Sequence, residues 1–149
     1  MEQQKVTNAI KLSNDILLGS VVELIKNGKH VKINISGSSM QPFLFDGDAI
    51  LLTNISFSTI KLGDIILAKY NGAYVLHRVI RKKNSCVFIA GDNNLSQIEK
   101  IEAINILAIA VKLFRSNRVI SLTSIYSRLL GVIWYCLRPL RKVYAKLFK

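Results

Sequence analysis

The chain has 149 residues and a mass of 16.7 kDa, room for one domain with at most a short appendage. Half of it is hydrophobic, enough to fill a core, which excludes wholesale disorder. The formal charge is +12 and unevenly spread: all nine acidic residues lie at or before Glu102, and nine of the twenty-one basic residues follow it. A basic end of this kind meets phosphates, of lipid or of nucleic acid, unless it only solvates a helix.

Cys86 and Cys136 sit in apolar surroundings without metal-ligand spacing, and there are only two histidines, so neither a zinc site nor a disulfide framework is expected. No cofactor is implied. The first residues are polar and no small-residue cleavage site follows an apolar run, so no secretory signal is read there. The apolar stretch Leu129 to Leu137 is too short to span a bilayer. The expected location is the cytoplasm or the periphery of a membrane.

In chain order, Val6, Ile10, Leu17, Val21 and Leu24 recur at helical spacing, and Gly28 follows where a helix commonly stops. This predicts a helix from Val6 to Asn27 with a break near Ser13 and Asn14. Val31 to Ile35 alternates apolar and polar residues, a strand signal. Further strands are predicted at Ala49–Thr53, Asp64–Tyr70, Ala73–Arg81, Ser85–Ala90, Ile104–Phe114 and Val119–Leu122, with Gly, Asn and Asp in the connectors. Asn71-Gly72 suits a tight hairpin turn. The body is therefore mainly β, within an α+β chain.

From about Thr123 the period is helical again. Leu129, Ile133, Leu137, Leu140, Tyr144 and Leu147 fall on one stripe, Arg138, Arg141, Lys142 and Lys146 mostly lie off it, and Pro139 should kink or divide the helix. Two arrangements satisfy the pattern. The stripe packs on the β body, or it lies in an anionic membrane interface with Trp134 and Tyr135 at headgroup level. No recognised reader motif accompanies the charge, so nucleic acid is not an expected partner.

Two places carry residues suited to chemistry. Ser36-Gly37-Ser38-Ser39-Met40-Gln41-Pro42 can form a stiff turn that exposes a hydroxyl and aims backbone N–H groups at a developing oxyanion. Gly37 permits the turn and Pro42 stiffens its exit. A serine hydroxyl needs an adjacent base, and His77 can take its proton near neutrality, since a free imidazole titrates near about 6.5. His77 lies in an alternating strand, sharing the interior face with Val75 and Val79. His30 has no such context and reads as surface.

These residues resemble a family. Gly37-Ser38-Ser39-Met40-Gln41-Pro42, Gly47-Asp48, Gly63-Asp64, His77-Arg78-Val79-Ile80 and Gly91-Asp92-Asn93-Asn94 stand in the order seen in signal-peptidase-like and LexA-type serine peptidases. The resemblance runs from about Val31 to Phe114, a little over half the chain. The last two motifs are most similar to archaeal and endoplasmic-reticulum-type signal peptidases, whose base is His; bacterial signal peptidases and LexA-type proteins carry Lys there. Gly37, two residues before the serine, is similar to the LexA type.

The resemblance implies Ser39 as nucleophile and His77 as general base. The Ser39 N–H and the Ser38 hydroxyl would serve the oxyanion, with Gly37 and Met40 beside them in the substrate-binding turn. Arg78 and Pro42 would give structural support, Arg78 by pairing with Asp92. In His-type relatives an orienting Asp follows the Gly-Asp-Asn-Asn motif. Here the matching position is Ile98, so adjacent Glu99 and Asp92 are the candidates for the third member. The implied fold is the coiled, partly barrel-like β-fold of these peptidases, flanked by an N-terminal helix and a basic amphipathic C-terminal helix. The corresponding division is 1–30, 31–122 and 123–149.

The function expected is a serine endopeptidase cutting a protein or peptide precursor in trans through a Ser–His dyad or triad. Neither Ala-Gly nor Cys-Gly, the bonds self-cleaving relatives cut, occurs upstream of Ser39, so self-processing is not expected. The alternative is a catalytically weak or inactive relative that binds a membrane surface through Arg138, Arg141, Lys142 and Lys146.

Overall fold

The computed structural model describes residues 15–148. Helix α1 (Asp15–Lys26) leads into strands β1 (Val31–Asn34), β2 (Ala49–Thr53), β3 (Ile65–Tyr70), β4 (Ala73–Lys82), β5 (Cys86–Ala90), β6 (Glu99–Glu102), β7 (Ile106–Arg115) and β8 (Arg118–Ser121). Helices α2 (Ile125–Cys136) and α3 (Arg138–Leu147) follow. The strands form one antiparallel sheet in the order β1-β2-β7-β3-β4-β5-β6, with β8 paired to β7. The mainly β architecture between terminal helices is as expected.

Each predicted strand forms within a few residues of its expected limits. The addition is β6, a four-residue strand reading Glu-Lys-Ile-Glu. Its acidic residues carry little strand propensity. It is held by pairing with β5, and its alternate residues Glu99 and Ile101 are buried. Asn71 and Gly72 both take positive φ, as a tight β3–β4 hairpin requires.

The sheet is covered on both faces. On β3, Ile65 and Leu67 join one core with Val21, Val22, Ile25, Ile50 and Leu113, while Ile66 and Ala68 join another with Val79, Val87, Ile89 and Ile101. That is why Ile65 to Ala68 reads as a continuous apolar run instead of an alternation. The buried side of α1 is Leu18, Val21, Val22 and Ile25, and Leu24 of the expected stripe is 47% exposed. Val6, Ile10 and the expected break at Ser13 and Asn14 lie outside the described residues.

The C-terminal segment divides at Pro139, which stands in the first turn of α3, where its missing N–H costs nothing. Its orientation is not the packed arrangement expected for the stripe. The stripe Leu129, Ile133, Leu137, Leu140, Tyr144 and Leu147 is exposed along its whole length and does not pack on the sheet. The opposite side docks, through Gly131, Trp134, Arg138 and Arg141, so Trp134 is turned to the body and away from any headgroup layer.

Close approach of α2 depends on Gly63, whose φ is +89° and where a β-carbon would lie 2.6–2.7 Å from the Arg128 backbone and Cβ. Gly63→Ala should therefore lower unfolding free energy by about 2 kcal/mol or more, through strain and displacement of α2. Urea unfolding checks this, and a loss within about 0.5 kcal/mol of wild type would contradict it.

Candidate active site

The Ser39 turn is anchored on both sides. After β1 ends, the Ile35 N–H donates to Asp48 O at 2.8 Å and the Gly47 N–H returns a bond to Ile35 O at 3.0 Å. Gly37, at φ +96°, donates its N–H to Asp46 Oδ1 at 2.9 Å. Ser38 and Ser39 project to the surface, while Met40 and Leu44 enter the core beneath them. The Gln41–Pro42 peptide is cis.

Asp48 locks this loop to β7. Its carboxylate accepts from Arg115 Nε at 2.9 Å and Nη2 at 2.6 Å, and from the Phe45 N–H at 2.7 Å; Arg115 also donates to Phe43 O. Burial pushes the Asp48 carboxyl upward, but the bonds from Arg115 and Phe45 outweigh it and hold the group below its ordinary value.

His77 projects from β4 opposite Ile66 of β3, on the face that also carries Val79. Two strands away, Glu99 of β6 pairs with Ile89 of β5, which in turn pairs with Val79. Glu99 is buried, and its Oε2 lies 3.0 Å from His77 Nδ1. On the other side of the ring, a β-carbon at Gly91 would come within 3.1 Å of His77 Nε2 and 2.7 Å of Ser39 O. Gly91 therefore leaves room for the serine turn and the imidazole edge to approach. Ser39 O accepts the Asn93 N–H at 2.9 Å, which ties the turn to the loop after β5. Ser39 and His77 together line a cleft of about 170 Å³, with Ile35, Gly37, Met40 and Leu76. Among the described residues, the Ser39 hydroxyl makes no hydrogen bond.

Asp92 sits elsewhere. Its carboxylate takes a two-pronged pair of bonds from Arg78, Nε to Oδ1 at 2.8 Å and Nη2 to Oδ2 at 2.7 Å, with both side chains buried. Arg78 Nη1 donates to Gly63 O at 2.8 Å, and the guanidinium lies 4.9 Å from the Phe43 ring centroid. Burial pushes the Asp92 carboxyl upward against the pull of Arg78, His77 and Arg141. Of the two acids expected beside His77, Glu99 touches the ring and Asp92 is engaged by Arg78.

Sequence reading missed the part of the tail in this region. Gly131 of α2 lies against the Arg78 guanidinium, where a β-carbon would overlap it. Trp134 Nε1 and Arg141 Nη2 both donate to Asp92 O at 2.9 Å, and Arg138 donates to Gln97 O at 3.1 Å. Arg138 and Arg141, expected on a membrane surface, are thus bonded to the loop beside the cleft; Lys142 and Lys146 remain exposed. The one signal available was the spacing of Gly131, Trp134, Arg138 and Arg141, three or four residues apart on one helical side.

The family model for Peptidase S24-like proteins matches residues 2–111. The chain belongs to this family. Membership supports a serine-peptidase-like function on protein or peptide substrates, in the LexA and signal-peptidase-like group that the motifs resemble. Comparison with curated proteins finds no match. The matched span carries Ser39, His77, Asp92 and Glu99, and residues 112–149, with β8, α2 and α3, lie beyond it.

The Asp48 pair gives a signed pH dependence. A carboxyl held below its ordinary value, near 3.8, contributes stability above that pH and loses it as pH falls through the folded-state pKa. Asp48→Asn should cost about 1–3 kcal/mol at neutral pH, with the gap to wild type narrowing below that value. Denaturant unfolding from pH 7 to pH 3 measures the gap, and one that widens in acid would contradict this account.

Proposed function

We propose that the protein is a serine endopeptidase in which Ser39 is the nucleophile, His77 the general base and Glu99 the residue that orients it. The observation that carries this reading is the 3.0 Å contact between His77 Nδ1 and buried Glu99, with the opposite edge of the ring turned to the Gly91–Ser39 junction. With Glu99 as carboxylate, Nδ1 keeps the proton and Nε2 presents its lone pair, the tautomer a general base needs.

Ser39 Oγ attacks the scissile carbonyl carbon as its proton passes to His77 Nε2. The tetrahedral oxyanion is met by the Ser39 N–H and the Ser38 hydroxyl. Collapse breaks the C–N bond, and His77 gives its proton to the leaving amine, leaving an acyl-enzyme. Water, deprotonated by His77, attacks the ester, and the proton returns to Ser39 as the acid departs.

The test compares protein N-termini in host cells expressing wild type or Ser39→Ala, followed by cleavage with purified protein. Ser39→Ala and His77→Ala should each lower cleavage by about 10⁴-fold or more with the fold retained. Glu99→Gln should lose about 10³–10⁴-fold, because an amide N–H facing Nδ1 forces the proton onto Nε2. Termini unchanged in Ser39→Ala would sink the assignment and leave the membrane-binding alternative.

A second reading concerns attachment. The outward sides of α2 and α3 expose Ile125 (80%), Tyr126, Leu129, Ile133, Val143 and Leu147 (71%), on a segment with no acidic residue. Such a surface suits shallow insertion into an anionic leaflet, with Lys142 and Lys146 at its phosphates. No helix of the described residues is long and apolar enough to cross a membrane. Wild type should co-sediment with phosphatidylglycerol-containing vesicles and only weakly with phosphatidylcholine, and Lys142→Glu with Lys146→Glu should release it. Equal binding to both vesicle types would refute the electrostatic part.

A further inference from the structure

A second recess adjoins the cleft. Leu95, Trp134, Leu137, Leu140, Arg141 and Tyr144 line an open groove of about 550 Å³ between the loop after β5 and the two C-terminal helices. It shares no lining residue with the Ser39–His77 cleft. The two meet at one hydrogen bond, for Asn93 lines the groove and its N–H is held by Ser39 O at 2.9 Å.

We propose that this groove binds an apolar segment of the polypeptide substrate on the side of the scissile bond away from the cleft, a proposal that rests on the peptidase reading above. Asn93 is bonded to Ser39 and lines the groove, so an extended chain seated at Ser39 that runs past Asn93 meets the groove. The walls are apolar and aromatic, Leu140 (67%) and Tyr144 (64%) are exposed, and the Phe148 ring lies against Tyr144 with 4.5 Å between centroids. Leu, Ile or Phe side chains fit such a surface.

The electrostatics add a second preference. Arg141 forms part of the wall, and no acidic residue occurs after Glu102, so an acidic residue flanking the apolar segment is favoured over a basic one. The helical wall lies beyond the family match. Specificity from this groove therefore belongs to this chain's own C-terminal helices, and Trp134, bonded to Asp92 O, fixes their position beside the cleft.

Trp134 is the only tryptophan and reports occupancy directly. Full-length Ser39→Ala is titrated with a ten-residue peptide of Ala and Ser followed by Leu, Phe, Leu and Glu, and with a counterpart in which Ser replaces the apolar residues. The expected result is a saturable blue shift of Trp134 emission with the first peptide only, weakened about tenfold or more by Leu140→Ser with Tyr144→Ser. Both substituted side chains are exposed, so the fold should tolerate their loss. No saturable shift, or unchanged affinity in the double variant, would overturn the proposal. A shift with phosphatidylglycerol vesicles but with neither peptide would overturn it in favour of lipid. Wild type is then incubated with the same peptides and the products weighed. Saturable binding without cleavage supports the groove and counts against Ser39 as nucleophile, whereas cleavage insensitive to the double variant counts against the groove alone.

Discussion

The structure around the cleft depends on the buried pair of Arg78 and Asp92. Placing two charges at 2% side-chain exposure is costly unless every donor and acceptor is met, and here each prong of the guanidinium has a partner. The two-pronged geometry fixes direction as well as distance, which a lysine could not do. Arg78 follows His77 on β4, and Asp92 follows Gly91 and precedes Asn93, the residue bonded to Ser39 O. One ion pair thus sets the spacing between the strand that carries the imidazole and the loop that holds the serine turn.

The same pair explains how the tail helices join the body. Gly131 admits the guanidinium against α2, and Trp134 and Arg141 converge on the carbonyl of Asp92. The docked side mixes a glycine, two arginines and Trp134, which meets Phe43 edge-on, and its hydrogen bonds run to backbone oxygens. That leaves the apolar side of both helices facing outward, an unusual cost for a small domain unless something covers it. The groove beside Asn93 and the broad outer face are two parts of that surface, one next to the cleft and one farther out.

The Ser39 turn and the His77–Glu99 contact draw on different kinds of support. The turn is a local loop closed by main-chain bonds around Ile35 and clamped to β7 through Asp48 and Arg115. The His77–Glu99 contact crosses β5, from β4 to β6, so it needs the register of three strands to be correct. An acid two strands away in space is found at position 99 because Glu99 pairs with Ile89 and Ile89 with Val79, two residues along β4 from His77.

The strands, the hairpin turn, the stop after α1 and the break at Pro139 were legible in the sequence, because each follows from side-chain alternation, turn chemistry or a missing N–H within a few residues. Ser39 and His77 were legible as candidate site residues, through short motifs, and the structure lines one cleft with both. The resemblance already offered Asp92 as the partner of Arg78, but tertiary structure alone decided that Glu99 is the acid at His77, since a contact between residues 22 positions apart depends on strand register. It also decided which side of α2 and α3 docks. A helical stripe identifies an apolar side but not its neighbour, and here two hydrogen bonds to one carbonyl and a glycine over a guanidinium directed the side of Gly131, Trp134 and Arg141 inward.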